Sequence, residues 1–237
     1  MLEQYDLSNL MVLDIETVPQ YAVHSDMPVI MQELWAHKTR NMRGEETAED
    51  FYERAGIWAE FGKIVCISVG IFSNSGGKRP GLRVKSFAGH DEKQLLTDFS
   101  KMLSGQPLSI ILCAHNGKEF DFPYICRRML IHGVPFPPHL QIQGKRPWEI
   151  PHLDTMELWK FGDYKNFTSL NLLTAIFDIP TSKDDIDGSQ VAHVYWVQNA
   201  LERICTYCQK DVIATAQLIR RYRGEPLIEE DCVTIVG

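Results

Sequence analysis

Residues 10–15, LMVLDI, form a short and nearly unbroken apolar run, the pattern of a strand buried on both faces. Such a strand has to be covered above and below, which constrains the chain more than any other segment does. The run closes on acids. Asp14 and Glu16 stand two apart, so in a regular strand their side chains point to the same face. Two adjacent carboxylates repel each other. The pair is either a strand end entering solvent or a cation site, because hard divalent ions take oxygen ligands.

The rest of the chain alternates around this strand. Residues 63–72 (KIVCISVGIF) are expected as a second strand and 82–88 as a third, joined by the turn-forming SNSGGKRPG into an antiparallel hairpin. From Asp91 the spacing of Leu95, Leu96, Phe99, Met102 and Leu103 predicts a helix that stops at Gly105 to Pro107. A fourth strand is expected over 108–114, a helix over 122–131, and a short fifth strand over 152–155. A helix over 168–177 and one long amphipathic helix over about 190–223 complete the order. The proline-rich 134–151 fits no regular element. Residues 19–62 are too long for a hairpin loop and are expected as a mostly helical insertion, a lid or a cover for the sheet. No repeat, low-complexity tract or linker divides the chain, so 1–237 is expected as a single domain.

Lys+Arg 24 against Asp+Glu 31 leaves a formal net charge of −7 and a sequence pI near 5.6. That balance excludes a polybasic binder and leaves little non-specific attraction for a polyanion. The most apolar stretch, 64–72, is interrupted by Ser68 and Gly70 and falls well short of the ~20 residues that span a bilayer. The opening MLEQYDLSNL has neither a basic nor an apolar leader region. The protein is therefore expected to be soluble and cytoplasmic, with no membrane partner. Cys66, Cys113, Cys126, Cys205, Cys208 and Cys232 are expected as reduced core residues. Cys205 and Cys208 have CxxC spacing but lack the further ligands zinc needs.

Two more segments carry chemistry. AHNGKEFDFPYICRR runs straight out of the fourth strand, with Asn116 at the strand end, Gly117 permitting a tight turn, and Asp121 opening a helix between Phe120 and Phe122. Taken alone, Asp121 is an N-cap and the phenylalanines are core. On the last helix Tyr207 and Asp211 are four apart and share a face, beside the apolar stripe of Leu201, Ile204, Cys208 and Val212. An acid beside a core stripe needs a partner or a metal.

Taken together, Asp-x-Glu, Asn-x3-Phe-Asp and Tyr-x3-Asp, in that order over about 11–223, resemble the DEDD superfamily of 3′-to-5′ exonucleases. Tyr207 lies four residues before Asp211, and Thr206 stands where the histidine branch has its histidine. The chain thus looks like the tyrosine branch, especially the exonuclease domain of family B DNA polymerases and its stand-alone relatives. TSLNLLTAIFDIP and KDDIDGSQV are similar to the same group. The resemblance implies a ribonuclease H-like α/β fold, a mixed five-stranded sheet flanked by helices, with a helical insertion between strands 1 and 2. It implies a phosphodiester hydrolase using two divalent ions, Mg2+ or Mn2+, roughly 3.5–4 Å apart, which releases nucleoside 5′-monophosphates from single-stranded or frayed DNA 3′ ends. In that scheme Asp14, Glu16 and Asp211 hold the ion that generates the hydroxide. Asp14 bridges to a second ion supported by Asp121, and Tyr207 orients the attacking water, since a phenol with a pKa of about 10 is a poor general base. Oxygen donors suit magnesium or manganese. Asn116 and the backbone around Thr17 and Val18 would contact the terminal nucleotide, and Lys183 a phosphate. Phe120 and Phe122 would either stack on bases or pack in the core.

Three function classes follow: a DNA exonuclease, an exoribonuclease with the same site, and a non-catalytic nucleic-acid-binding module. The presence of all four acids and the tyrosine argues against the module. A ribonuclease H-type endonuclease is disfavoured by the Tyr-x3-Asp pair. Palm and finger segments do not follow the last helix, so association with a polymerase or a repair complex would be in trans. Asp154 is expected to cap the helix after it and His115 to be structural. Lys118, Arg127, Arg128, Lys145, Arg146, Lys165, Lys183 and Lys210 are expected to form a basic rim.

Overall fold

A computed structural model describes residues 2–75, 79–163, 167–180 and 186–237. At its centre is β1 (Leu10–Pro19), whose first residues are fully buried. It pairs antiparallel with β2 (Gly62–Ser75), which pairs antiparallel with β3 (Arg79–Ala88). On its other edge β1 runs parallel to β4 (Ile111–Ala114), and β4 runs parallel to β5 (Leu153–Asp154). A further strand, β6 (Val233–Val236), lies parallel to β3, giving the order β5-β4-β1-β2-β3-β6. This is the mixed, ribonuclease H-like α/β sheet, with six strands rather than five.

The alternation of β1 divides the core. Met11, Leu13 and Ile15 pack with α2 (Glu92–Ser104) and α3 (Asp121–His132), through residues such as Phe99, Leu103, Phe122 and Met129. Leu10 and Val12 point the other way, onto Val212, Ala216 and Ile219 of α7 (Leu201–Tyr222). The expected helices over 168–177 and 190–223 are α5 (Leu170–Ile176), α6 (Val191–Trp196) and α7, and a short α4 (Thr155–Lys160) follows β5. The long helix is thus two. The chain breaks between them at Asn199, in the left-handed region with φ 50°, a conformation asparagine tolerates. The fourth strand starts at Ile111, not Leu108, because a turn closed by Ile110 N–H donating to Pro107 C=O at 3.0 Å precedes it.

The insertion between β1 and β2 holds α1 (Val29–Thr39) and a 3-10 turn (Asp50–Ile57). It carries a cluster of its own around the fully buried Trp35, whose ring meets Phe51, Tyr52, Trp58 and Phe61 at centroid distances of 5.1–6 Å. No helix among the described residues is long and apolar enough to cross a membrane. Lys165, Lys183 and the hairpin turn 76–78 lie outside the described residues.

Candidate active site

The parallel ladder between β1 and β4 ends at Val12 and Cys113. From Asp14 onward the β4-side edge of β1 is open, at the carboxyl ends of parallel strands, where open α/β sheets bind ligands. Asp14 and Glu16 continue the row begun by Leu10 and Val12, toward α7. On the β2 side they lie opposite Ser68 and Cys66, and the register shifts directly after Glu16, an irregularity of the kind that re-aims strand side chains. Pro19 C=O, at the far end of β1, accepts Trp196 Nε1–H of α6 at 3.0 Å.

The turn leaving β4 delivers Asp121. Asn116 takes φ 64°, and Gly117 sits so close to the sheet that a Cβ there would collide with Ala114 Cβ, so no larger residue fits. Phe122 N–H then donates to Gly117 C=O at 2.9 Å, starting α3 at Asp121. Asp154 holds this turn. Its Oδ1 accepts Asn116 N–H at 2.9 Å, its Oδ2 accepts Lys118 N–H at 3.0 Å, and Oδ1 also accepts the amides of Met156 and Glu157 at the start of α4. The expected cap is therefore present, and the same carboxylate also clamps the β4 exit. His115 lies between Thr155 Oγ1 and Thr168 C=O, each 2.9 Å from a ring nitrogen. Burial pushes its pKa down, so the neutral ring serves as a structural bridge.

Two of the four acids are buried, and Asp14 and Asp211 are half-buried beside them. Glu16 is 7% exposed and Asp121 3%. Burial, then Glu16, Asp121 and Asp211, push Asp14 well above the usual carboxylate range; burial, then Asp211 and Asp121, do the same to Glu16. Burial raises Asp121 to about 7, with Asp154 and Asp211 adding to it against hydrogen bonds from the Asp121 and Ile15 amides. Burial raises Asp211 to about 6 against a hydrogen bond from Tyr207. The Tyr207 phenol is itself raised, by burial and then by Asp211, Glu16 and Asp14. Among the described residues, no lysine or arginine offsets the charge of these groups.

This arrangement fits a cation. Asp14 Oδ2 is buried with no hydrogen-bond partner, a costly state for a charged oxygen. Asp14, Glu16 and Cys208 bring ligand atoms within 4.8 Å of one another. The donors are mainly carboxylate oxygens, the ligand type of hard divalent ions.

The structure thus brings Asp14, Glu16, Asp121, Asp211 and Tyr207 together, with Asn116 and Thr17 half-buried nearby in sequence. Val18 corrects an expectation: the residue is fully buried, backbone included, with Gly56 packed on it, so it is withdrawn from contact with a nucleotide. Phe122 corrects an expectation: at 0% exposure it lies in the core, edge-on to His152 at 5.0 Å, and cannot meet a base. Phe120 is half-buried and packs against Tyr124 at 5.3 Å. Arg128 is also withdrawn from the expected basic rim. It is 1% exposed, and its guanidinium binds Glu92 at 2.5 and 2.8 Å and Ala59 C=O at 2.8 Å. Cys208 was expected only as core, although its place on the stripe adjoining Tyr207 and Asp211 was the available signal.

The mixed sheet thus carries acids from β1, the β4 exit and α7 at its carboxyl edge. The family model described as "predicted 3'-5' exonuclease related to the exonuclease domain of PolB" matches residues 57–224, and the chain belongs to that family. The matched stretch includes Asp121, Tyr207 and Asp211, and Asp14 and Glu16 precede it. Among solved structures, the family B DNA polymerase from the hyperthermophilic archaeon Pyrobaculum calidifontis aligns with 87% of this chain, at 14% identity and a TM-score of 0.46. This chain spans 24% of that polymerase's length. No curated protein matches.

Proposed function

We propose that the chain is a 3′-to-5′ exonuclease that releases nucleoside 5′-monophosphates from single-stranded or frayed DNA ends, using two divalent cations, magnesium or manganese. The observation that supports it is the convergence of Asp14, Glu16, Asp121 and Asp211 around Tyr207, with every acid raised and an Asp14 oxygen unpartnered. Asp14, Glu16 and Asp211 would hold one cation, and Asp14 and Asp121 the second. Cations bound there supply Lewis acidity to an attacking water and to the leaving oxygen. Tyr207, its phenol pushed up by burial and by acidic neighbours, stays protonated. Its O–H therefore orients a water and does not remove a proton. Asn116 and the Thr17 backbone position the terminal nucleotide, and Lys183 a phosphate. The activity belongs to one domain, 1–237, acting in the cytoplasm in association with a polymerase or repair complex.

The test is a nuclease panel of single-stranded DNA, duplex DNA and RNA, labelled at either end, with magnesium or manganese. A 5′-labelled DNA strand should shorten progressively from its 3′ end, and Asp14→Asn should abolish this while the protein stays folded. Full activity in Asp14→Asn overturns the site; faster decay of RNA than of DNA reassigns the substrate to RNA.

A further inference from the structure

We propose that Cys208 is a further, soft donor of the cation site assigned to Asp14, Glu16 and Asp211, so that this site takes thiophilic divalent ions, zinc or cadmium, through sulfur as well as oxygen. The inference rests on the cation-site reading above and deepens it. Cys208 is fully buried on the apolar stripe of α7, adjoining the face that carries Tyr207 and Asp211. Its Sγ, an Asp14 oxygen and a Glu16 oxygen all lie within 4.8 Å of one another. The thiol donates to Asp14 C=O at 3.4 Å, which holds the sulfur against the strand, and Asp14 Oδ2 has no partner.

The other thiols are differently engaged. Cys66, across the ladder from Glu16, lies with its Sγ 3.7 Å from Cys205 Sγ and 3.7 Å from Ser68 Oγ. Glu229, Asp231 and Cys232 form another acid–thiol group, but Arg79 already occupies its acids at 2.6 and 3.0 Å. Among the described residues, no lysine or arginine pairs with the acids that Cys208 faces. When a soft ion enters, the S–H bond breaks, its proton passes to solvent and a metal–sulfur bond forms. Thiolate favours zinc and cadmium, whereas magnesium prefers an all-oxygen octahedron.

The test uses the full chain, stripped with EDTA and titrated separately with cadmium and manganese. It reads the ultraviolet thiolate-to-cadmium charge-transfer band and the melting temperature. Wild type should develop the band, and Cys208→Ser should lose it. Cadmium affinity in that variant should fall at least about tenfold, the scale on which even outer-shell changes act, with the manganese-induced rise in melting temperature kept. Cys205→Ser should keep the band, and Cys208→Ala repeats the test if serine unsettles the fold. A band that persists without Cys208, or is absent from wild type while cadmium still raises the melting temperature, overturns the proposal and leaves the exonuclease reading standing. If neither ion shifts the melting temperature, the cation site itself fails and this proposal with it.

Discussion

In metal-free protein, Asp121→Asn should raise the melting temperature by an amount that grows with pH. Burial, with Asp154 and Asp211, holds Asp121 at about 7 in the folded state, against about 3.9 in an unfolded chain. The folded protein thus keeps a proton that the unfolded chain has released, and stability falls as pH rises from about 4 to about 7. At about 1.4 kcal/mol per tenfold change, the cost approaches ~4 kcal/mol above that window. This is an upper bound, because the repulsion is shared with the other acids. In a chain of this length it corresponds to a shift on the order of 10 °C. Asparagine carries no charge, so variant and wild type should melt nearly together below about pH 4 and separate by up to that amount at about pH 8. The difference between proteins is the useful quantity, because buried histidines oppose the trend in both. His152, pushed down to about 4 by burial, contributes stability that is present at higher pH and lost as pH falls, and this cancels on subtraction. Differential scanning fluorimetry in EDTA across the window measures it. A difference that does not change with pH refutes the reasoning. In saturating manganese wild type should gain more than the variant and close the gap.

Tyr207→Phe should lose about 100-fold in exonuclease turnover yet keep its manganese-induced stabilisation; unchanged turnover would mean that the hydroxyl only packs. Phe122→Ala should cost ~3–5 kcal/mol in urea unfolding without altering oligonucleotide affinity of the folded protein, whereas a selective loss of affinity would restore the ring to the binding surface. Arg128→Met leaves Glu92 buried without its main partner and should cost ~3–5 kcal/mol, much of it recovered when Glu92→Leu is added; a loss below ~1 kcal/mol would show that His132, 2.8 Å from Glu92, suffices.

What was legible in the sequence was local. Asp14 and Glu16 announce a shared face because strand alternation fixes it, and Tyr207 and Asp211 do so through helical spacing. The break between α6 and α7 was hidden because neither glycine nor proline marks it, and only the backbone of Asn199 turns. β6 was missed because VTIV is a four-residue edge strand, half-exposed throughout, and its pairing with β3 is a long-range fact. Phe122 and Arg128 were misplaced for a related reason. Motif adjacency does not say which way a helix faces, and the Glu92 that withdraws Arg128 sits on a different helix.

The insertion is welded to the strand that bears the first two acids. A Cβ on Gly56 would lie 3.1 Å from Val18 C, so backbone rests on backbone just beyond Glu16. Tyr124 Oη donates to Gly56 C=O at 2.8 Å, and Arg128 reaches Ala59 C=O from the same helix, α3. Swinging this segment outward would tear the end of β1 and loosen the seat of Asp121 in one motion. Amides at 17–18, 56–62 and the start of α3 should therefore exchange with deuterium as one cooperative unit, the behaviour of a buttress and not of a hinged lid.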